Sequence, residues 1–283
     1  MINIDGKLFQ NNEAKLEIDN RGFQFGDAVF ETIRVVQGKI LFWEEHYFRL
    51  MASMRILRME IPMNFTLEYL QEEIYKTLKC NNLNNSNSRI KLTVNRASGG
   101  RYLPLNKGVN FIITSEPLAF DEFRFSTDHY EVELFKDYFV SPGLLSTVKT
   151  NNRLVNILGS IFANENDFEN CLLLNTNKMV IEALNGNLFL VKGQTVKTPP
   201  ISDGCLKGIM RQQIIQLINE DEQLTLEESS ISPFELQKAD ELFITNAIIG
   251  IQPISKYRKK EFGTEFASIL INKLNDKVEQ LIV

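Results

Sequence analysis

The sequence contains few of the residues that would indicate a metal centre or a histidine-based site. Its 283 residues include only two histidines, His46 and His129, and three cysteines, Cys80, Cys171 and Cys205. The cysteines are scattered and no pair has zinc-ligand spacing, so we expect no metal site, no disulfide framework and a reducing, cytoplasmic setting. A Ser-His-Asp triad is also disfavoured, because no serine lies in a nucleophile-elbow context. Lysine, carboxylates or a cofactor would therefore carry any catalysis.

Long apolar runs and an excess of positive charge are missing as well. The N-terminal MINIDGKLFQ lacks a basic segment followed by an apolar one, so we expect no secretory signal. No apolar run approaches membrane-spanning length. The net charge is −5 and the pI is near 5.3, which disfavours nucleic acid as a partner. The composition predicts neither a membrane nor a nucleic-acid partner.

The remaining composition is that of a globular protein, with 43% hydrophobic and 24% charged residues. Strand patterns, such as the β-rich run 28–36, alternate with helical patterns, such as 44–59. They predict an α/β architecture with mixed, largely antiparallel sheets. The patterning loosens around SEPLAFDEF, and there we place a domain boundary. The prediction is a smaller N-terminal α/β domain (1–116), a linker (117–124) and a larger C-terminal cofactor-binding domain (125–283).

One lysine lies where a strand pattern gives way to a helical one. In LLSTVKTNNRLVNILG, Lys149 ends an extended apolar stretch, and from Leu154 onward apolar residues recur at helical spacing. Thr150 or Asn151 is expected to cap the new helix. Taken alone, such a lysine is most simply a solvated surface charge. The alternative is a reactive amine.

The carboxylate of Glu182 is the most informative acidic group. Strand alternation in MVIEAL places it between Val180 and Leu184 on an apolar face. Burying an unpaired carboxylate costs several kcal/mol, so this group needs a cation or strong donors. It is either part of a structural ion pair with an arginine or a carboxylate kept for a cationic nitrogen of a ligand.

Three segments could hold an anion. GCLKGIMRQQ places Gly208 and Ile209 at a helix N-terminus, which favours phosphate. LFITNAIIG ends a strand at Thr245 and Asn246, which bring together hydroxyl, amide and backbone donors. Arg49 lies on the helix face away from the apolar stripe and is either a solvated charge or a bidentate phosphate ligand. Each signal is weak by itself.

The loop RASGGRYLP could recognise a carboxylate of a substrate. Arg96 or Arg101 would form the bidentate pair, with Tyr102 beside them. The simpler interpretation is a flexible hairpin with solvated arginines. Together with a reactive lysine, a buried carboxylate and phosphate donors, however, this loop completes the set of groups that pyridoxal phosphate needs.

Six segments, in order along nearly the whole chain, resemble motifs of the fold-type IV pyridoxal-phosphate enzymes, also called class IV aminotransferases. They are NRGFQFGDAVFETIRV, HYFRL, VKTNNRL, VIEALNGNLFLVKG, TPPISDGCLKGIMR and ADELFITNAIIGIQPI. The resemblance implies a two-domain fold of mixed sheets flanked by helices, pyridoxal 5'-phosphate as the cofactor and a homodimer. It makes Lys149 the Schiff-base lysine and Glu182 the partner of the pyridine nitrogen. The other cofactor-binding residues that it implies are Arg49, Asn187, Gly208, Ile209, Thr245 and Asn246.

Two activities are compatible with this resemblance. KTNNRL, KGIMRQ, ITNAIIGIQPI and NRASGGRY look more like the lyases of the family, which convert 4-amino-4-deoxychorismate to 4-aminobenzoate and pyruvate in folate biosynthesis. We rank that activity first, with Thr32 near the leaving group. The alternative is an aminotransferase for branched-chain or D-amino acids with 2-oxoglutarate. A non-catalytic binding protein on this fold ranks below both, because a degenerate member would be expected to lose Lys149 or Glu182.

Overall fold

The computed structural model describes residues 1–125 and 129–282, and it divides the chain into two compact units. The first unit comprises Met1–Glu122, Val148–Asn152 and Ile282, and the second comprises Phe123–Thr147 and Arg153–Leu281. The first change of unit lies within the predicted linker 117–124. The predicted C-terminal domain also includes residues 126–128 and 283, which lie outside the described residues. Each unit is built on its own β-sheet.

The first unit contains a six-stranded sheet in the order β2-β1-β6-β5-β3-β4, and each described pairing is antiparallel. Its elements in chain order are β1 (Ile2–Ile4), β2 (Lys7–Phe9), α1 (Arg21–Phe25), β3 (Ala28–Val36), β4 (Lys39–Ile40), α2 (Trp43–Ile56), α3 (Leu67–Cys80), β5 (Ser88–Arg96) and β6 (Val109–Pro117).

The strand β3 separates two different environments. Val29 and Ile33 point into the core that the apolar faces of α2 and α3 form, together with Leu50 and Leu70. Since side chains alternate along a strand, Phe30 points to the opposite face, where it is only half-buried. One face of this sheet is therefore a packed core, and the other carries side chains that a ligand can approach.

The second unit contains a ten-stranded sheet with the path β12-β11-β10-β9-β8-β7-β15-β16, and off this path β13 pairs with β10 and β14. The pairings β7–β8, β7–β15 and β11–β12 are parallel and the others described are antiparallel. The prediction of mixed, largely antiparallel sheets is confirmed. The elements are β7 (Glu131–Val140), α4 (Leu154–Glu165), β8 (Asn170–Asn175), β9 (Val180–Ala183), β10 (Asn187–Lys192), β11 (Thr195–Thr198), a 3-10 helix (Ile201–Asp203), α5 (Ile209–Asn219), β12 (Thr225–Glu228), α6 (Pro233–Leu236), β13 (Glu241–Asn246), β14 (Gly250–Ile254), β15 (Lys256–Tyr257), β16 (Lys260–Glu261) and α7 (Glu265–Ile282).

The central strands of the second sheet are buried on both faces. In β8, Leu172 and Leu174 belong to one apolar cluster, whereas Cys171 and Leu173 belong to another. A polar side chain in such a strand has no water to bind, so it needs a protein or ligand partner. Among the described residues, no helix has the length and apolar character needed to cross a membrane.

The segment 148–152 pairs with β3, and this corrects two predictions. Thr150 forms a β-bridge with Val29, and the backbone N–H of Phe30 donates to the Lys149 carbonyl oxygen at 2.9 Å. The segment therefore belongs to the first unit, although the sequence-based division assigned it to the C-terminal domain. The predicted helix cap is wrong as well, since α4 has Arg153 at its N-cap and no side-chain capping bond. Thr150 pairs with the distant strand β3, and it does not cap the nearby helix α4.

We expect the core of the first unit to be sensitive to the loss of single leucines. Leu70 on α3 is fully buried, so Leu70→Ala should lower the free energy of unfolding by about 2–5 kcal/mol through lost burial and a residual cavity. Leu16→Ala is the matched control, because 54% of that side chain is exposed, and it should change stability by less than about 0.5 kcal/mol. Urea unfolding would measure both, and equal effects would contradict the described packing.

Candidate active site

Three polar side chains form a row across the second sheet. Glu182 on β9 pairs with Asn187 on β10, and Asn187 pairs with Thr245 on β13. Directly paired residues of antiparallel strands point to the same face, so the carboxylate, the amide and the hydroxyl are neighbours. All three residues are buried. A buried carboxylate beside a buried amide and a buried hydroxyl makes this row a candidate binding site.

The turn before α5 covers this row. The backbone N–H of Leu206 donates to Glu182 Oε2 at 2.8 Å, and Asn187 Nδ2 donates to the Leu206 carbonyl oxygen at 2.8 Å. Gly208 is the N-cap of α5, and a Cβ atom there would overlap Asn187 Oδ1. The helix N-terminus at Ile209 can therefore lie this close to the row only because Gly208 has no side chain.

The Thr245 hydroxyl is the orphan of the row. Its Oγ1 is buried and has no hydrogen-bond partner among the described residues, which is costly unless a ligand supplies one. The adjacent Asn246 side chain shapes the turn, since its Oδ1 accepts from the N–H groups of Ile248 and Ile249 and its Nδ2 donates to the Asn185 carbonyl oxygen, each at 3.0 Å. These bonds present Thr245 and its backbone at the end of β13.

A buried thiol close to Glu182, that of Cys205, is poorly suited to nucleophilic chemistry. Burial raises the pKa of Cys205 to about 12, and the charge of Glu182 acts in the same direction. The thiol is therefore protonated at neutral pH and is a poor nucleophile. Among the described residues, no group of His, Cys, Asp and Glu is arranged to hold a metal ion.

In the first unit, two lysines approach the ring of Phe30. The Nζ atom of Lys149 lies 4.3 Å from the ring centroid, and the Nζ atom of Lys91 lies 5.0 Å from it. Lys91 on β5 is the direct cross-strand partner of Thr32. Thr32, Phe30 and Lys91 therefore share the face of the sheet opposite to the packed core. Sequence reasoning missed Lys91, whose only signal was its place on the half-buried face of an alternating strand.

Arg49 is not a solvated charge. Its Nε donates to Glu31 Oε1 at 2.8 Å, its Nη2 pairs with Glu31 Oε2, and its side chain is 11% exposed. His46 Nδ1 is 2.7 Å from the same Oε2 atom. Burial alone would raise the pKa of Glu31, but the charge of Arg49 and the hydrogen bonds from His46 and Arg49 outweigh it and lower that pKa to about 2. Glu31 is therefore ionised at neutral pH, and it orients the guanidinium.

The two arginines of the predicted carboxylate-binding loop have different environments. Arg96 is 7% exposed and donates to Asp27 Oδ2 at 2.8 Å and to the carbonyl oxygens of Leu57 and Arg58 at 2.6 and 3.1 Å. Its three nitrogens thus take part in holding the fold. Arg101 is exposed. A ligand can reach Arg101 more readily than Arg96.

The loop that carries Arg101 is anchored by a residue that the sequence did not indicate. Arg21 donates from Nε to Asp27 Oδ2 at 2.9 Å and from Nη1 to the carbonyl oxygens of Gly99 and Arg101 at 3.2 and 2.6 Å. Tyr102, the next residue, is 92% exposed. The backbone of the loop is therefore fixed while its tip remains accessible.

The predicted site residues consequently fall into two sets, one in each unit. Thr32, Arg49, Arg96, Arg101, Tyr102 and Lys149 belong to the first unit, and Glu182, Asn187, Gly208, Ile209, Thr245 and Asn246 belong to the second.

Comparison with known proteins identifies the class to which this chain belongs. The amino-transferase class IV family model matches residues 28–257, so the chain is a member of that family. This confirms the fold-type IV family that the sequence motifs predicted. It also confirms an enzyme that uses pyridoxal phosphate.

Individual relatives carry three different activity names. A Methanocaldococcus jannaschii protein, named provisionally as a branched-chain-amino-acid aminotransferase, is 30% identical over 99% of this chain and 96% of its own. D-alanine aminotransferase of Staphylococcus epidermidis is 27% identical, over 89% of this chain and 87% of its own. The crystal structure of 4-amino-4-deoxychorismate lyase from Pseudomonas aeruginosa superimposes with a TM-score of 0.82 at 25% identity, covering 98% of both chains. The family is shared, whereas the reaction differs among these relatives.

Each set contains groups that suit a part of pyridoxal phosphate. The cofactor has an aldehyde, a pyridine nitrogen and a phosphate monoester. The second unit offers a carboxylate oriented by a backbone amide, the orphan hydroxyl of Thr245 and a glycine-led helix N-terminus suited to an anion. The first unit offers the Lys149 amine and the oriented guanidinium of Arg49.

Gly208→Ala should weaken cofactor binding. The added methyl group would overlap Asn187 Oδ1 and displace the turn, and overpacking of this kind costs about 1–3 kcal/mol, or roughly tenfold or more in affinity. Gly143→Ala is the matched control, because no atom lies within 4 Å of a Cβ at that position. Titration of the apoprotein with pyridoxal phosphate would measure both. Wild-type affinity in Gly208→Ala would contradict the described cradle.

The ion pair of Glu31 should make stability depend on acid pH. A carboxyl group whose pKa falls from 4.5 to about 2 on folding stabilises the native state above about pH 4.5 and loses this contribution as the pH falls from 4.5 towards 2. The shift corresponds to roughly 3 kcal/mol. Urea unfolding at several pH values should therefore show a stability gap between wild type and Glu31→Gln that narrows in acid. A gap that stays constant with pH would refute the assignment.

Proposed function

We propose that the enzyme is a 4-amino-4-deoxychorismate lyase, which releases 4-aminobenzoate and pyruvate. The observation that carries this proposal is the pairing of Thr32 with Lys91 on the sheet face to which Phe30 and Lys149 also contribute. A hydroxyl and a second cation beside the reactive amine suit a substrate that has two carboxylates and must lose an oxygen-linked leaving group.

The cofactor-binding roles follow from the two sets of residues. By the motif resemblance, Lys149 would bond through Nζ to the aldehyde carbon of pyridoxal phosphate, and the Glu182 carboxylate would accept a hydrogen bond from the protonated pyridine nitrogen. The donors proposed for the phosphate are Arg49, the α5 N-terminus at Gly208 and Ile209, and Thr245 Oγ1. When bound, the cofactor withdraws electron density from the bonds next to the substrate nitrogen.

Lys149 moves the first proton. The Lys149 amine would act as the base that removes the proton from ring C4 of the substrate. An amine held at the reacting carbon acts at a high effective concentration, which can lower the barrier by about 7–11 kcal/mol. The C–O bond to the enolpyruvyl group then breaks, and the ring becomes aromatic. Thr32 Oγ1 is the group proposed to carry a proton to the departing enolpyruvate, which becomes pyruvate.

The substrate carboxylates require cations. Lys91 is proposed for one carboxylate, because the sheet register fixes it beside Thr32. Arg101 is proposed for the other, with Tyr102, because the loop exposes both. Arg96 is the less suitable of the two predicted arginines, since its hydrogen bonds hold the fold.

The second candidate is an aminotransferase for branched-chain or D-amino acids with 2-oxoglutarate. The names of the Methanocaldococcus and Staphylococcus relatives favour it. In that reaction Lys149 would be the base that takes the proton from the amino-acid Cα, and the other cofactor-binding residues would keep their roles. For either reaction, we propose a cytoplasmic homodimer, as the motif resemblance implies.

Product analysis distinguishes the two activities. The holoenzyme is incubated with 4-amino-4-deoxychorismate, and separately with leucine or D-alanine plus 2-oxoglutarate. We expect equimolar 4-aminobenzoate and pyruvate in the first reaction, loss of at least roughly a hundredfold in kcat for Lys149→Ala, and a KM raised roughly tenfold for Lys91→Met. Glu44→Gln, an exposed change on α2, is the control. Glutamate formation without any 4-aminobenzoate would instead establish the aminotransferase.

A further inference from the structure

A buried charged cluster on the core side of the first sheet has no role in the steps above except through Arg49. Glu31 on β3 and His46 on α2 are each 1% exposed, and both lie beside the Arg49 guanidinium. Burying an ionised carboxylate with an imidazole is costly, and apolar residues would suit a purely structural core as well. The cluster therefore needs a functional explanation.

The geometry of the pair between Glu31 and Arg49 fixes the plane of the guanidinium. Nε and Nη2 of Arg49 each bond to a different oxygen of the carboxylate, which is the bidentate arrangement. Because the guanidinium is rigid and planar, two bonds along one edge determine where the opposite edge points. Glu31 thereby gives Arg49 one orientation, which a long, flexible side chain lacks on its own.

His46 in turn fixes the carboxylate. Its Nδ1 atom is 2.7 Å from Glu31 Oε2, and since that oxygen belongs to an ionised carboxylate, Nδ1 carries the proton and donates it. Burial lowers the pKa of His46 in spite of the opposing effect of Glu31, so the ring is neutral at pH 7. A neutral donor orients the carboxylate without adding a second positive charge to the cluster.

We propose that Glu31 and His46 are positioning residues that orient Arg49 for the phosphate of pyridoxal phosphate. The inference rests on the proposed role of Arg49 as a phosphate ligand. A positioning role of Glu31 and His46 predicts a different effect on ligand binding from that of a structural ion pair. A positioning role affects ligands that have the phosphate and spares ligands that lack it, whereas a structural role weakens the binding of both.

The experiment compares two ligands on the same apoproteins. Pyridoxal has the aldehyde and the ring of the cofactor but no phosphate. The dissociation constant of pyridoxal divided by that of pyridoxal phosphate therefore measures the contribution of the phosphate to binding. We expect Glu31→Gln to weaken the binding of pyridoxal phosphate roughly tenfold and His46→Leu to weaken it roughly fivefold. The dissociation constant of pyridoxal should change by less than about twofold. His46→Asn should restore most of the ratio, because the Asn amide can donate from nearly the same position. Glu44→Gln should leave both constants unchanged.

A coupled variant keeps the test valid if Glu31→Gln folds poorly. Arg49→Gln removes the phosphate ligand, so adding His46→Leu to it should lower the ratio no further. If His46→Leu weakened the binding of both ligands equally, or if the double variant had a lower ratio than Arg49→Gln alone, the positioning role would be overturned while the proposed function stands. A wild-type protein that binds both ligands equally well would refute the phosphate role of Arg49 and the inference together. A wild-type protein that binds neither would refute the proposed function itself.

Discussion

The position of Lys149 depends on main-chain hydrogen bonds to β3. The Phe30 N–H donates to the Lys149 carbonyl oxygen at 2.9 Å, and the Asn151 N–H donates to the Ala28 carbonyl oxygen at 3.0 Å. These bonds hold the backbone on both sides of Lys149, and the proposed Schiff-base role requires a Cα atom fixed in this way. The same pairing places the side chain over Phe30, on the sheet face opposite to the core.

In the proposed mechanism the two units supply different groups. Each group proposed to touch the substrate (Thr32, Lys91, Lys149 and the Arg101 loop) belongs to the first unit, whereas the second unit supplies the row that begins with Glu182. The buried carboxylates of the two units, Glu31 and Glu182, have different hydrogen-bond partners. Glu31 is paired with a cation, so its charge is neutralised within the protein. Leu206 binds Glu182 through a backbone amide, which has no formal charge, so this bond orients the carboxylate without neutralising it.

Local patterns predicted the elements well where neighbouring residues alone decide the structure. The strand β3 has the predicted bounds, because it is rich in β-branched residues, and α3 begins directly after Thr66, whose hydroxyl accepts from the Tyr69 N–H. The cap proposed for α4 was wrong, because Thr150 pairs with a strand more than a hundred residues earlier. The sequence around Thr150 does not reveal its pairing with this distant strand.

The candidate site depends in part on contacts that the sequence does not reveal. The motif resemblance indicated Lys149 and Glu182, and the structure adds the surroundings that depend on distant contacts. Lys91 is separated from Phe30 by about sixty residues, and it is the register of β3 with β5 that brings them together. The contact of His46 with Glu31 likewise requires α2 to pack on β3. Such residues look ordinary in the sequence, because their role is a property of the packed sheet.

The choice between elimination and amino transfer depends on what the substrate-binding groups can accommodate. An aminotransferase accepts two substrates in turn, so its carboxylate-binding groups must suit both. A lyase accepts one substrate, and two cations at fixed positions can match its two carboxylates. Lys91 is fixed by strand register, and the Arg101 loop is fixed by the bonds from Arg21 to two of its carbonyl oxygens. These contacts fix the backbone that carries both cations, and such a backbone suits a single dicarboxylate better than an exchange of partners, which is the argument for the proposed lyase.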